Sequence, residues 1–434
     1  MMKMTYLKKL LGFVLTLALT SSSFALTEGV EKLVLFETRA NAIAPRDPKL
    51  IFLPHVEIPI EFVGLDFADR LDPKVAQALV IQNEKGEKFV RWILNPEDTQ
   101  WGPTLLKYFK KQGLDLEVKY YFNGYQTASR SYIAEDPGTG VQFSVKSSTN
   151  KTGGAWRDKK QPIGEAIDGR LLSDFLSAQE KKRPFKYFIF MDEPAILKIA
   201  ELDQAVVIRD LGPITHSDNK KYYLPGFSAL HDTVGRAIAL KNGSDDPFKY
   251  WTENYVEVAG RALGELAART GIQFDSPHSQ NFLVELDSNL KPTGRLVLRD
   301  MSDLYIDHNY IKALLGPDNV ITSGFTQKEN IHNEISAGFG PLHGNMHPTW
   351  VTAAQYSKWR NVFFDQFESA FKEISGFDLS LLKAPKTQNA EYFSAGYRLT
   401  SKPDYNILFR MMSNEGVVNN HGGKLLCKYA LTGS

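Results

Sequence analysis

The chain has a single cysteine, Cys427, in 434 residues, so no disulfide can close within it, and no grouping of cysteine and histidine has the spacing of a structural zinc site. It also lacks a charge bias. Lys and Arg total 51 against 50 Asp and Glu, a formal net charge of +1, which gives no field of one sign to draw in nucleic acid or an anionic membrane surface. No repeat period, no low-complexity tract and no GxxxxGK phosphate loop is present. Beyond residue 25, no apolar run is as long as a transmembrane helix. These absences argue against redox chemistry, solenoid architecture and charge-driven binding, and leave partners to be read from local sites.

What is present is apolar substance. With 43% hydrophobic and 12% aromatic residues, the chain can bury a large core and is expected to form two packed lobes. At the N-terminus, Lys3, Lys8 and Lys9 precede the run "LLGFVLTLALT", and Ser23 and Ala25 are small residues where a signal peptidase reads. Residues 1–25 therefore read as a secretory signal. The run is roughly half of the about 20 residues needed to span a bilayer, so export by cleavage is expected rather than stable membrane insertion. The mature protein would be periplasmic or secreted.

Residues 26–115 form a mixed N-terminal region punctuated by Pro54, Pro59 and Pro73. Residues 116–345 are richer in strand signals: "LEVKYYFNGY", "RSYIAE" and "VQFSVKSST" favour β structure, with "DPGTG" as a hairpin turn between the last two. "PIGEAIDGRLLSDFLSAQEKK" reads as an amphipathic helix, and "FKYFIFM" and "AVVIRDLG" as further strands. The spacing of Trp251, Tyr255, Val258, Ala262 and Leu266 predicts one long helix over residues 246–271, ended by Gly271. Residues 346–434 read as mainly helical, beginning with an amphipathic helix from Val351 to Phe371, while "NILFRMM" suits a late strand or helix. The fold class is α/β (α+β) with a mixed or antiparallel sheet.

Two stretches carry chemistry. In "SPHSQNFLVELDSNLKPTGRLVLRD", two strand candidates joined by a polar turn would form a hairpin, bringing His278 and Asn281 toward Arg299 and Asp300. A carboxylate and an amide oxygen are hard ligands suited to magnesium, and an imidazole can contact a phosphate oxygen. On spacing alone, the same residues could equally cap turns and form a surface pair. In "VKSSTNKTGGAWRD", Lys146, Ser147, Ser148, Thr149, Lys151, Thr152 and Arg157 set hydroxyls and fixed cations among glycines, a composition suited to a triphosphate and also to an exposed polar loop. Arg209, at the end of "AVVIR", could hold a carboxylate bidentately. His343 and His347 are four apart, but Gly344 and Pro348 oppose the helix a zinc pair would need. Asp192 and Glu193 could add a carboxylate to a metal or stand as a solvated strand end.

In order and chemistry, "KSSTNKTGGAWR", "AVVIRD" and "SPHSQNFLVEL…GRLVLRD" resemble the NRPS-independent siderophore synthetases of the aerobactin synthetase type, over roughly residues 140–305. The resemblance implies a hand-like α/β fold with nucleotide held in the palm. It also implies a reaction in which ATP and magnesium activate a carboxylate, often of citrate, before the acyl group passes to an amine or hydroxyl. By that resemblance Lys146, Ser148, Thr152, Arg157 and His278 contact phosphates, Asn281 and Asp300 sit at the magnesium, and Arg209 and Arg299 serve anion binding or site architecture; His278, Arg157 and Lys146 are the catalytic candidates. The chain departs from the family pattern at Ser276 and Ser279, where an acidic residue and a glycine are expected, with Asp275 as the neighbouring substitute. An N-terminal HPxHPxxK element is missing, and "FLPHVEIP" with His55 echoes it only in part.

An ATP-dependent ligase thus stands beside a second expectation, an exported relative that binds a polycarboxylate or siderophore without turnover. A kinase-like phosphotransferase would need Asp275 as its base. A homodimer is left open. If residues 1–25 are a signal, secreted material from the native host begins near Leu26 by N-terminal sequencing; uncleaved cytoplasmic protein would overturn the assignment.

Overall fold

The structure, a computed structural model, describes residues 26–41, 44–152, 158–215, 220–274, 278–316, 318–328, 331–332, 334–338, 348–376, 378–379 and 394–398. The expected signal, Arg157, Asp275, Ser276, His343, His347, Cys427 and the "NILFRMM" stretch lie outside the described residues. The chain divides into two units, Met1–Arg170 with Met191–Tyr223, and Leu171–Phe190 with Leu224–Ser434.

In the first unit, helix α1 (Glu28–Thr38) leads into β1 (Leu50–Pro59), β2 (Gly64–Phe67), α2 (Pro73–Leu79), β3 (Val80–Gln82), β4 (Lys88–Ile93) and α3 (Trp101–Lys111). Next come β5 (Val118–Gln126), β6 (Ser131–Glu135), β7 (Gln142–Lys146) and α4 (Ile163–Lys182), along which the chain passes into the second unit. After β8 (Phe188–Phe190) of that unit, it returns as β9 (Ala195–Ile199) and β10 (Gln204–Arg209). The strands of the first unit form one nine-stranded sheet in the order β2-β9-β10-β7-β6-β5-β1-β4-β3, with every pairing antiparallel. The expected β6–β7 hairpin forms around "DPGTG", where Asp136 accepts from Thr139 Oγ1 at 2.6 Å and Gly140 takes φ +70°.

Alternation of side chains gives this sheet two different faces. Leu53, Val56, Ile58, Val90, Phe122, Tyr132, Phe143, Val145, Val206 and Ile208 pack on Val75 and Leu79 of α2 and on Leu105 and Phe109 of α3. Ala205, Val207 and Ile196 point the other way, against Ala166, Ile163 and Ile167 of α4. The N-terminal region, read from sequence as mixed, supplies four of the nine strands. Its prolines hide β1, a central strand that accommodates Pro54 through a register shift between Leu53 and Pro54.

The second unit contains a sheet ordered β11-β13-β14-β8, with β11 (Tyr222–Pro225), β13 (Phe282–Leu286) and β14 (Pro292–Leu298); β14 pairs antiparallel with β13 and parallel with β8. A short strand β12 (Ile272–Gln273) pairs with β15 (Tyr305–Asp307). Helix α5 (Asp232–Lys241) precedes the segment predicted as one long helix. That segment begins at α6 (Pro247–Trp251), opens into a π turn over Thr252–Val256, and continues as α7 (Glu257–Thr270) to Gly271 at φ +67°. At the π turn, Thr252 Oγ1 donates to the Phe248 carbonyl at 2.7 Å and accepts from Trp359 Nε1, distant in sequence, at 2.7 Å.

Trp359 belongs to α8 (Ala353–Ser375), which opens with a capping box between Thr352 and Gln355. Helices α7 and α8 meet at Gly260 and Gly264, where the carbonyls of Phe363 and Phe367 lie where side chains would stand. At the far end of α7, buried Arg269 and Glu265 form an ion pair at 3.4 Å. Glu265 accepts the N–H groups of Lys186 and Tyr187 at 2.9 and 2.7 Å. Arg269 donates to the carbonyls of Gln179, Arg183 and Pro184 and lies 4.1 Å from the centre of the Phe185 ring.

Packing of this kind makes two stability changes predictable. A Cβ at Gly264 would lie 2.5 Å from the Phe367 carbonyl oxygen, so Gly264→Ala should cost about 1–3 kcal/mol by forcing α7 and α8 apart, as read by urea unfolding. Equal stability would show that the helices give way freely. In the first unit, His55 is buried beside Tyr121 and Phe122, neither ring nitrogen has a hydrogen-bond partner, and Glu57 lies 3.8 Å from Nε2. Burial, helped by the Arg91 charge and opposed by Glu57, pushes its pKa down from 6.5 to about 4. The unfolded chain therefore takes up this proton first. Stabilisation is full above pH 6.5 and falls as pH drops toward 4, by at most about 3 kcal/mol. His55→Leu should flatten that part of the dependence when unfolding is compared near neutral pH and near pH 4.5; an unchanged slope would assign it to other groups.

Candidate functional site

In the first unit, Lys146 is the last residue of β7, opposite Val207 of β10 and Ser131 of β6. It is 3% exposed, and Ser147, Ser148 and Thr149 after it are also buried. These residues leave the sheet under restraint. Ser148 Oγ accepts the Gln161 N–H at 2.9 Å, which leaves the hydroxyl hydrogen as a donor. Thr149 and Lys159 exchange backbone hydrogen bonds of 3.0 and 2.8 Å, and half-buried Thr152 follows in the chain.

Arg209 ends β10 opposite Ser144, so register places Arg209, Ser144 and Lys146 on the same face of the sheet, away from the large core. Its Nε donates to Glu193 Oε1 at 2.8 Å, and both side chains are buried. One edge of the guanidinium is thus committed within the chain. Asp192 is engaged as well, accepting from Arg70 Nη2 at 2.7 Å. The "MDEP" carboxylates are therefore partners of arginines rather than a solvated strand end, because a charge removed from water needs a counter-charge.

In the second unit, the expected hairpin forms, with Phe282 opposite Leu298 and Leu283 opposite Val297. Just beyond the last pair, Arg299 N donates to the Asn281 carbonyl at 3.1 Å and Arg299 Nε to the Gln280 carbonyl at 2.8 Å. His278 caps the short 3₁₀ turn Ser279–Asn281, its Nδ1 accepting the Gln280 N–H at 3.1 Å. A neutral ring with Nδ1 so used carries its proton on Nε2, which is then a donor. Asp300 sits at φ 68°, ψ 67°, a left-handed conformation that Asp tolerates better than most residues, and its Oδ1 accepts from Ser302 Oγ at 3.1 Å. Asn281 and Arg299 are buried, while His278 and Asp300 are partly exposed.

The four polar residues predicted to meet are thus gathered at one hairpin end. Among the described residues there is no group of three or more His, Cys, Asp and Glu able to cage a metal. One carboxylate and one amide suit magnesium, which keeps several waters and takes few protein ligands, better than zinc or calcium. Sequence reasoning singled out Glu193 but not as the partner of Arg209, and it did not find Gln161. The Arg209–Glu193 pair joins residues 16 apart and Gln161 N–H reaches Ser148 across 13, with no periodic signal in either case.

No family model matches the chain, and no curated protein matches it in sequence. Solved structures do. ATP-bound aerobactin synthetase IucA from a hypervirulent pathotype of Klebsiella pneumoniae aligns over 81% of this chain and 70% of its own, at 14% identity and a TM-score of 0.51. Aerobactin synthetase IucC from the same source aligns over 60% of this chain and 50% of its own, at 14% identity and a TM-score of 0.46. The petrobactin biosynthesis protein AsbB from Bacillus anthracis aligns over 68% and 56%, at 14% identity and a TM-score of 0.44. The chain spans half the length of IucC and 70% of IucA, and over the span aligned with IucA it has the siderophore-synthetase fold.

Proposed function

We propose that the protein is an ATP-dependent ligase of the siderophore-synthetase kind, joining a citrate-like carboxylate to an amine or hydroxyl through an acyl-adenylate. ATP supplies the leaving group: a substrate carboxylate oxygen bonds to the α-phosphorus as pyrophosphate departs, and the nucleophile then takes the acyl carbon and releases AMP. The observation that carries this reading is the convergence of His278, Asn281, Arg299 and Asp300 at one hairpin end, in a chain whose fold matches that of an ATP-bound synthetase.

In this reading Asp300 and the Asn281 amide hold magnesium, which would offset phosphate charge. His278 offers its Nε2 hydrogen to a phosphate or carboxylate oxygen without spending the nitrogen that caps the turn. Lys146 and the Ser148 hydroxyl donate to phosphate oxygens, with Thr152 and Arg157 from the following loop. Arg209 and Arg299 shape the anion sites. The protein lowers the barrier by positioning and by fixed donors directed at the departing pyrophosphate.

A second reading is an exported, non-catalytic relative that binds a polycarboxylate or siderophore. It is favoured by Ser276, where the family carries an acid, and by the signal-like residues 1–25, which we propose direct export.

Calorimetric titration with Mg·ATP and with citrate separates the readings. Asp300→Asn should weaken magnesium-dependent ATP binding about tenfold or more with its melting temperature little changed, and His278→Ala should weaken anion binding even without magnesium, beyond the modest stability lost with its turn cap. If these residues only cap turns, both variants should instead lose about 0.5–2 kcal/mol of stability and keep ligand affinity. Binding of citrate or a siderophore with no response to ATP would decide for the non-catalytic reading.

A further inference from the structure

We propose that the junction of Asp98 and Thr99 with Asn150 is a latch that positions the anion-binding residues Lys146 and Ser148, an inference that rests on the ligase reading of those two residues. Chain leaving β7 is held by the Ser148–Gln161 hydrogen bond and by the Thr149–Lys159 pair. A single bridge of this kind is a hinge, and one more restraint is needed to fix the exit direction of the strand.

Asn150, immediately past the bridge, supplies it. Its backbone N–H donates to Asp98 Oδ1 at 3.1 Å, its Oδ1 accepts from Thr99 N at 3.0 Å and from Thr99 Oγ1 at 3.3 Å, and its Nδ2 donates to Thr99 Oγ1 at 2.9 Å. The other end of the latch is anchored. Asp98 Oδ2 accepts the Gly102 N–H at 2.7 Å in the first turn of α3, whose Leu105 and Phe109 lie in the core. The returning leg of the loop is fastened to the same helix start: Trp101 Nε1 donates to Asp158 at 2.9 Å, and the Lys160 ammonium lies 5.6 Å from the centre of the Trp101 ring. Arg130 Nη1 adds hydrogen bonds to the carbonyls of Lys159 and Lys160.

Chemistry separates positioning from mere stability. The side-chain bonds between Asn150 and Thr99 are exposed, so their net contribution to folding is small, yet together they remove the freedom of the segment just after Ser148. Preordering donors before an anion arrives raises affinity because less disorder is lost on binding. Asn150, Asp98 and Thr99 are positioning residues and need not touch the ligand.

The test uses the full chain with Mg·ATP and with inorganic pyrophosphate as probes, titrated calorimetrically, together with amide hydrogen exchange and melting curves. Asn150→Ala should raise exchange at residues 149–152 and 158–159 while β5 and β6 stay protected, weaken both probes about five- to tenfold, and leave the melting temperature close to wild type. Thr99→Val, which keeps the backbone donor and removes the hydroxyl, should show a smaller loss, and Thr99→Ser should restore wild-type behaviour. Wild-type binding that Asn150→Ala leaves intact, or unchanged exchange in that variant, overturns the latch alone. Wild-type protein that binds neither probe overturns the ligase reading and the latch with it.

Discussion

In the second unit, the buried pairing of Arg269 with Glu265 is the constraint on which the placement of several neighbouring segments depends. Two charges taken out of water are costly unless their remaining hydrogen-bonding capacity is used. Here Glu265 receives two backbone N–H groups and Arg269 donates to three backbone carbonyls. The effect is to fix the end of α4 and residues 183–187 onto α7. Strand β8 begins immediately after that clamp and pairs in parallel with β14, Phe188 against Leu296 and Phe190 against Leu298. The residues directly after β14 are Arg299 and Asp300. An ion pair within one helix, through its hydrogen bonds to residues 179–187, thus helps settle the register of the strand whose end carries candidate ligand groups.

The first unit solves a related problem differently. Its sheet gives one face to a large apolar core, while polar Ser144, Lys146 and Arg209 share the other face with the small cluster under α4. Burying lysine and arginine on a sheet face demands nearby oxygen, and Glu193 meets part of that demand. A carboxylate or phosphate drawn to such a face would exchange water for fixed donors in a setting of low dielectric, where each contact counts for more.

How much of this was legible in the sequence depended on how local its cause was. The β6–β7 hairpin could be read because "DPGTG" sits between two runs of strand formers, and the β13–β14 hairpin because two apolar runs flank a polar turn. Helix α4 and the C-terminal end of α7 matched their periodicity and Gly271. The π turn did not, since its partner Trp359 lies 107 residues away. Strand β1 was obscured by two prolines that tertiary pairing tolerates. The meeting of Asn281 with Arg299 followed from hairpin geometry, whereas Glu193 beside Arg209 and Asp98 beside Asn150 arise from loops crossing in space.

The left-handed backbone at Asp300 bears on how this position can drift over time. Most side chains are strained at φ 68°, so alanine, valine or lysine there would be penalised by conformation before chemistry is considered. Glycine satisfies the backbone but carries no oxygen, asparagine satisfies the backbone with a neutral oxygen, and aspartate satisfies it with a charged one. Random substitution at this codon therefore samples a ladder of three tolerated states, from no side-chain oxygen through a neutral one to a charged one. A descendant could step down that ladder without refolding its hairpin, and the residue found here stands on its top rung.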